Sequence, residues 1–227
     1  MPALRRRFLS YFLSVPLALA AAAAPQQAMA SDEAFEFWLN PSIGADLDSN
    51  TGVELETAQR LRSASSGRPD TYFFRLWVNR DLADNVTLSG AVEQRFNNGD
   101  DDERRLIQQL STRHGILRTR LRLEQRFEEG QGGRMGLRLR PRLGANVPLD
   151  EAGDWSLKGD AELFWTLRST APGGSTGITG LRTQLGFAHD VSDTLSLSLI
   201  YLRQQDFRAG RPDRIGHAPL IGIEFAL

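Results

Sequence analysis

Residues 116–127, ILRTRLRLEQRF, and residues 134–143, RMGLRLRPRL, separated by the break Gly130-Gln131-Gly132-Gly133, decide the fold. In the first segment Leu117, Thr119, Leu121, Leu123 and Phe127 hold odd positions, and Arg118, Arg120, Arg122, Glu124 and Arg126 hold even ones. Only Ile116 and Gln125 depart from the alternation. Beyond the break Met135, Leu137, Leu139 and Leu143 oppose Arg134, Arg138, Arg140 and Arg142. A period of two places side chains on opposite faces of a strand, whereas a helix would scatter these leucines around its circumference. The stretch therefore predicts two strands, each with one apolar and one charged face.

The same grammar extends in both directions. Segments of alternating character cover 35–46, 52–62, 71–80, 86–97, 104–114, 116–128, 134–147, 155–168, 178–189, 195–206 and 217–227. Most exceed the roughly five or six residues of a globular strand and match the roughly 9 to 11 that cross a bilayer at a tilt. In 155–168, Trp155, Leu157, Gly159, Ala161, Leu163, Trp165 and Leu167 share one face, with an indole toward each end. Ten residues at ~3.3 Å tilted by about 40° span roughly 25 Å, the height of the apolar band between aromatic girdles.

The breaks alternate in length. Asp46-Leu47-Asp48-Ser49-Asn50, Asp81-Leu82-Ala83-Asp84-Asn85 and Asp190-Val191-Ser192-Asp193-Thr194 form a short repeat, with His114-Gly115 and 149–154 in equivalent places. Between them lie the longer polar breaks 63–70, 98–103, 128–133, 169–177 and 206–216. Short turns on one side and long loops on the other predict an all-β, antiparallel up-and-down transmembrane β-barrel of 10–12 strands in the outer membrane. The first segment fits least well, because an N-terminal strand 35–46 would begin on the outer side of the membrane. It threads the interior before pairing, lies inside the barrel, or marks a misread break. A soluble β-sandwich, the competing fold, would leave the girdles and the alternating breaks unexplained.

Residues 1–30 read as a signal peptide, with Arg5, Arg6 and Arg7 before an apolar core and Ala28-Met29-Ala30 as the cleavage site, leaving 31–227 as the barrel domain. The arginines also suit a twin-arginine export signal, but that route carries folded proteins and a barrel precursor must cross unfolded. Beyond residue 30 there are 24 basic and 28 acidic side chains, a formal charge of −4 that gives no sign of nucleic acid binding. Lys158 is the one lysine, every other basic residue is Arg, and there is no Cys. The end of the chain, with Ile221, Ile223, Phe225 and Leu227 on one parity, suits a terminal strand read by barrel-assembly machinery through Phe225-Ala226-Leu227. The expected partners are outer-membrane lipid and lipopolysaccharide around a monomer.

The start of this region, Glu36-Phe37-Trp38-Leu39-Asn40-Pro41, leads through the Asp/Ser/Asn turn into Val53-Glu54-Leu55-Glu56 and Gln59-Arg60. Strand ends of the form Glu93-Gln94-Arg95-Phe96 and Glu124-Gln125-Arg126-Phe127 recur. Together these resemble a proteobacterial family of outer-membrane barrels classed as domain of unknown function 2490. The resemblance implies a location and a fold, and carries no activity, cofactor or catalytic residue.

If the apolar faces meet lipid, the charged faces point inward. Candidate interior residues are Arg95, Arg118, Arg120, Arg122, Arg126, Arg134, Arg138, Arg140, Arg142 and Lys158, with Glu93, Glu124, Asp160 and Glu162; Glu54, Glu56 and Glu224 are further carboxylates. Guanidinium groups in such number must meet carboxylates or water, because an unpaired buried charge is costly. An Arg/Glu network filling the barrel is the plainer reading. A narrow, Arg-lined, anion-favouring pore is the functional one. His114, His189 and His217 do not form a catalytic group, so an outer-membrane enzyme is an alternative without a named nucleophile, and a surface or assembly component is another. Asp100-Asp101-Asp102-Glu103 is expected to be a solvated loop tip, and no metal or cofactor is expected.

Overall fold

The computed structural model describes residues 31–62 and 68–227; the expected signal peptide lies outside them. Eleven strands among these residues close into one barrel. They are β1 (Asp32–Asp48), β2 (Thr51–Arg62), β3 (Thr71–Ala83), β4 (Val86–Asn97), β5 (Glu103–His114), β6 (Leu117–Glu128), β7 (Met135–Pro148), β8 (Trp155–Arg168), β9 (Gly177–Ser192), β10 (Leu195–Asp206) and β11 (Arg214–Ala226). Each strand pairs antiparallel with its neighbours in sequence, so the hairpins need no crossover.

Closure departs from a wholly antiparallel barrel. β1 pairs with β11 in parallel, from Asp32↔Arg214 to Gly44↔Ala226. The cause is arithmetic: when each strand reverses its predecessor, an eleventh runs in the direction of the first. The awkward N-terminal strand is thus neither a plug nor a misread break but part of the wall, starting at the long-loop end.

The short-turn repeat has a local explanation. Asp81 Oδ1 accepts a hydrogen bond from Thr87 Oγ1 at 2.6 Å, and Asp190 accepts one from Ser196 Oγ six residues on. Both turns carry a register shift beside the bonded residues, and so does the β1–β2 turn between Asp46 and Asp48. There the residue six past Asp46 is Gly52, which has no hydroxyl, and Asp48 Oδ1 instead accepts the Asn50 N–H at 2.8 Å. At the β5–β6 turn Gly115 adopts φ 58°, which glycine enters without the Cβ clash other residues meet.

Exposure follows the alternation in an inverted sense. Leu121, Leu143, Leu163, Leu185 and Leu199 are 38–60% exposed, while Glu93, Glu124 and Glu162 are 0–3% exposed. A water-soluble fold distributes these residue types the other way. Two apolar clusters interrupt the charged interior: Trp38, Leu202 and Ala218 beside the β1–β11 seam, and Trp77, Ala91 and Ile107 across β3–β5.

Candidate functional site

The register of the sheet places opposite charges beside one another on the inner face. Glu56, Arg75, Glu93 and Arg105 are direct partners across β2 to β5, and Glu162 and Arg182 across β8–β9. Cross-strand neighbours lie close enough for charged side chains to meet. The result is a belt that runs Glu56–Arg75–Glu93–Arg105–Glu124–Arg140–Glu162–Arg182, one residue from each strand from β2 to β9. Glu124 anchors it. One oxygen accepts Arg138 at 2.6 Å and the other accepts Arg140 at 2.5 Å. Glu162 takes Arg140 at 2.6 Å on one oxygen and Arg120 on the other. Bidentate guanidinium groups can serve two carboxylates at once, which a lysine ammonium does less well, and the near-absence of lysine follows.

Of the residues singled out from sequence, Glu93, Arg95, Arg120, Arg122, Glu124, Arg126, Arg138, Arg140, Arg142, Lys158, Asp160 and Glu162 are on inward positions of the strands. Arg142 pairs with Asp160, and Arg126 with Glu103. One residue needs correction and one lies at the edge. Arg134 precedes β7, is exposed, and donates from Nε to Ser169 O at 3.0 Å, because at residue 134 the chain is still in the loop, where alternation has no inside. Arg118 keeps an inward position but sits at the short-turn rim, where it lines the mouth cavity and donates to Gly115 O of its own turn. Glu103 is also not part of a loop tip: it opens β5, is 4% exposed and accepts Arg105 at 2.5 Å.

Sequence reasoning missed Glu36, Trp38, Arg60, Phe73, Arg75, Arg105, Phe164 and Arg182. The signal was parity. Phe73 and Trp77 alternate with Tyr72, Phe74, Leu76 and Val78, so the inward face of β3 is the one bearing Arg75. Four inward aromatic rings hold guanidinium groups; Trp77 takes Arg122 at 5.1 Å and Arg75 at 5.3 Å, and the other three form a row. Arg60 lies 4.1 Å from the Trp38 ring and 5.1 Å from Phe73; Arg182 lies 4.9 Å from Trp38 and 5.2 Å from Phe164; Arg140 lies 4.7 Å from Phe164. This row, Phe73–Arg60–Trp38–Arg182–Phe164–Arg140, crosses the interior.

Arg60, Arg140 and Arg182 face two cavities of about 240 Å³ each. The inner chamber toward the short turns is faced also by Arg75, Arg120, Arg122 and Arg142 with Glu54, Glu56 and Glu224; the one toward the long loops by Arg62, Arg68, Arg95, Arg105 and Arg138 with Asp206. The short-turn mouth is divided. A cavity of about 350 Å³ carries Arg113, Arg118 and Lys158 and shares Arg120 and Arg142 with the inner chamber. Another of about 430 Å³ carries Asp46, Asp48, Asp81 and Asp193 and shares Glu54 and Glu224 with it.

The histidines are apart from these cavities. His189 stacks on Trp155 at 4.1 Å, His217 meets Tyr201 Oη at 2.6 Å, and His114 approaches Asn85 at 3.3 Å. Among the described residues no group of three or more His, Asp or Glu side chains is arranged to hold a metal ion.

Fold and interior define a closed β-barrel with an exposed apolar exterior and an ion-paired, arginine-rich interior. The family model described as "Protein of unknown function (DUF2490)" matches residues 35–215, and the chain belongs to that family. No curated protein matches the chain.

Proposed function

We propose that the protein is exported by its first 30 residues, spans the outer membrane as a monomer, and forms a narrow passage that favours anions. The observation that carries the passage is the division of labour inside the barrel. Guanidinium groups predominate on the cavity walls, where Glu54, Glu56, Glu224 and Asp206 are the acids, while Glu93, Glu124 and Glu162, at 0–3% exposure, sit behind them. An entering solute therefore meets donors and positive charge, which low-dielectric walls strengthen. The basic half of the short-turn mouth, where Asp160 is the one acid, leads toward Arg120 and Arg142 and favours entry of anions into the inner chamber. Membrane insertion is supported by the exposed leucines and by strands of 12 to 17 residues. The terminal strand with Phe225-Ala226-Leu227 is the segment offered to barrel-assembly machinery, and lipid with lipopolysaccharide surrounds the wall.

In planar bilayers under a KCl gradient the purified barrel is expected to give a reversal potential of anion-selective sign, reduced in Arg122→Gln and Arg142→Gln. Cation selectivity would overturn the reading. A second reading is favoured by the Phe73–Arg60–Trp38–Arg182–Phe164–Arg140 row, which separates the two chambers. If that row stays closed, bilayers are silent and the barrel acts through its walls or loops.

A further inference from the structure

Three guanidinium groups that face the inner chamber make no hydrogen bond to a carboxylate. The Arg60 side chain makes no ion pair and no hydrogen bond among the described residues; it lies against the Trp38 and Phe73 rings, and its buried Nε has no acceptor. Arg122 is 6% exposed, yet its hydrogen-bond partner is the neutral Gln109, at 2.9 Å from Nε and 2.7 Å from Nη2. Arg182 likewise spends Nε and Nη2 on Gln204 Oε1, and its nearest carboxylate oxygen, on Glu162, is 3.7 Å away. Each guanidinium offers five N–H donors, so most of this set is uncommitted. Arg60 has no carboxylate partner, and guanidinium groups outnumber the acids in both chambers it faces: Glu54, Glu56 and Glu224 line the inner one and Asp206 the one toward the long loops. Buried cations without a carboxylate in hydrogen-bond reach call for a counter-ion.

We infer that the inner chamber binds a compact phosphate-class oxyanion, either free phosphate or the phosphoryl end of a small phosphomonoester, held by Arg60, Arg122 and Arg182. Three forked donors suit an anion with several oxygens, each able to accept more than one hydrogen bond; a halide has one acceptor atom to share among them. At about 240 Å³ the chamber is below the roughly 300 Å³ at which drug-sized ligand pockets begin, so the bound group is small. The Trp38 and Phe73 rings that line the chamber already lie against guanidinium groups, so hydrogen bonding rather than stacking is what the chamber offers. The anion enters past Arg118 and Lys158, then Arg120 and Arg142, and comes to rest against the aromatic row. This deepens the anion-favouring reading and uses the same chamber.

The full mature barrel in detergent micelles, with folding checked by heat-modifiable gel migration, is titrated with inorganic phosphate at constant ionic strength in chloride. Trp38 lies against Arg60 and Trp77 lies 5.1 Å from Arg122, so tryptophan fluorescence is the first readout and titration calorimetry the second. Wild type is expected to saturate. Arg60→Gln and Arg122→Gln are expected to bind at least about tenfold more weakly, as loss of a charge-assisted contact implies, while Arg134→Gln on the exposed loop matches wild type. Glycerol phosphate saturating alongside phosphate assigns the phosphomonoester form; phosphate alone assigns the free anion. A folded wild type without a saturable phosphate isotherm overturns the inference, as do Arg60→Gln and Arg122→Gln binding like wild type. The bilayer measurement separates the two proposals. Phosphate binding with silent bilayers supports the site and removes the passage; anion-selective conductance without phosphate binding does the reverse.

Discussion

At the residue scale the interior is held by shared acceptors. Glu124 is 0% exposed and serves Arg138 and Arg140 together, so Glu124→Gln leaves two buried cations short of an anion. Breaking a buried pair on one side costs roughly 3–5 kcal/mol, and the urea midpoint in detergent should fall accordingly. Glu54 has no ion-pair partner among the described residues and faces the mouth, so Glu54→Gln should stay within about 0.5 kcal/mol of wild type. A smaller loss for Glu124→Gln than for Glu54→Gln would mean that the belt is solvated and contributes little. The alternation of Arg118 to Arg126 was legible because strand geometry ties residue parity to face. The partners were not: Arg140 reaches Glu124 and Glu162 diagonally across two strand pairs, and that depends on register.

At the element scale, close strand approach is bought with missing side chains. A Cβ on Gly186 of β9 would lie 2.6 Å from Ile200 Cα and closer still to the Leu199 carbonyl oxygen, both backbone atoms of β10. Gly186→Val is therefore expected to prevent β9 and β10 from closing, read as loss of the heat-modifiable species. Gly159→Ala on β8, whose Cβ would meet Leu185 Cδ1 at an ordinary 3.4 Å, should migrate as wild type. Strands β4, β8 and β10 have the limits their alternation predicted, 86–97, 155–168 and 195–206. The outer two were underestimated: β1 begins at Asp32 and β11 at Arg214. The extra residues lie where the two strands pair with each other, a contact between the ends of the chain that no local pattern announces.

At the scale of the whole molecule, the parallel seam makes β1 indispensable. It supplies Trp38 to the apolar cluster with Leu202 and Ala218, and Glu36, which accepts Arg62 at 3.1 Å and also binds Arg68. Without β1 the edges of β2 and β11 are one strand too far apart, and neighbouring strands sit about 4.8 Å from each other. A chain lacking residues 31–49 is expected to lose the heat-modifiable form. Recovery of a stable ten-strand barrel from it would show that the antiparallel remainder closes by itself. Membrane fractionation tests the location proposed above: the protein should sediment with outer membranes, and recovery from the soluble periplasm would count against that location.

The sequence by itself determined the strands, their two faces and the alternation of short turns with long loops, because period-two patterning and turn chemistry act between residues near in the chain. It also identified most of the interior charges, since parity within a strand assigns a face. Only the tertiary structure decided that the first and last strands close in parallel, that the arginines of Ile116 to Arg142 join a belt shared with β2 to β5 and β8 to β9, and that Arg60, Arg122 and Arg182 are left without full partners. Those outcomes depend on strand number and cross-strand register, which follow from closing the sheet on itself and have no counterpart in local sequence.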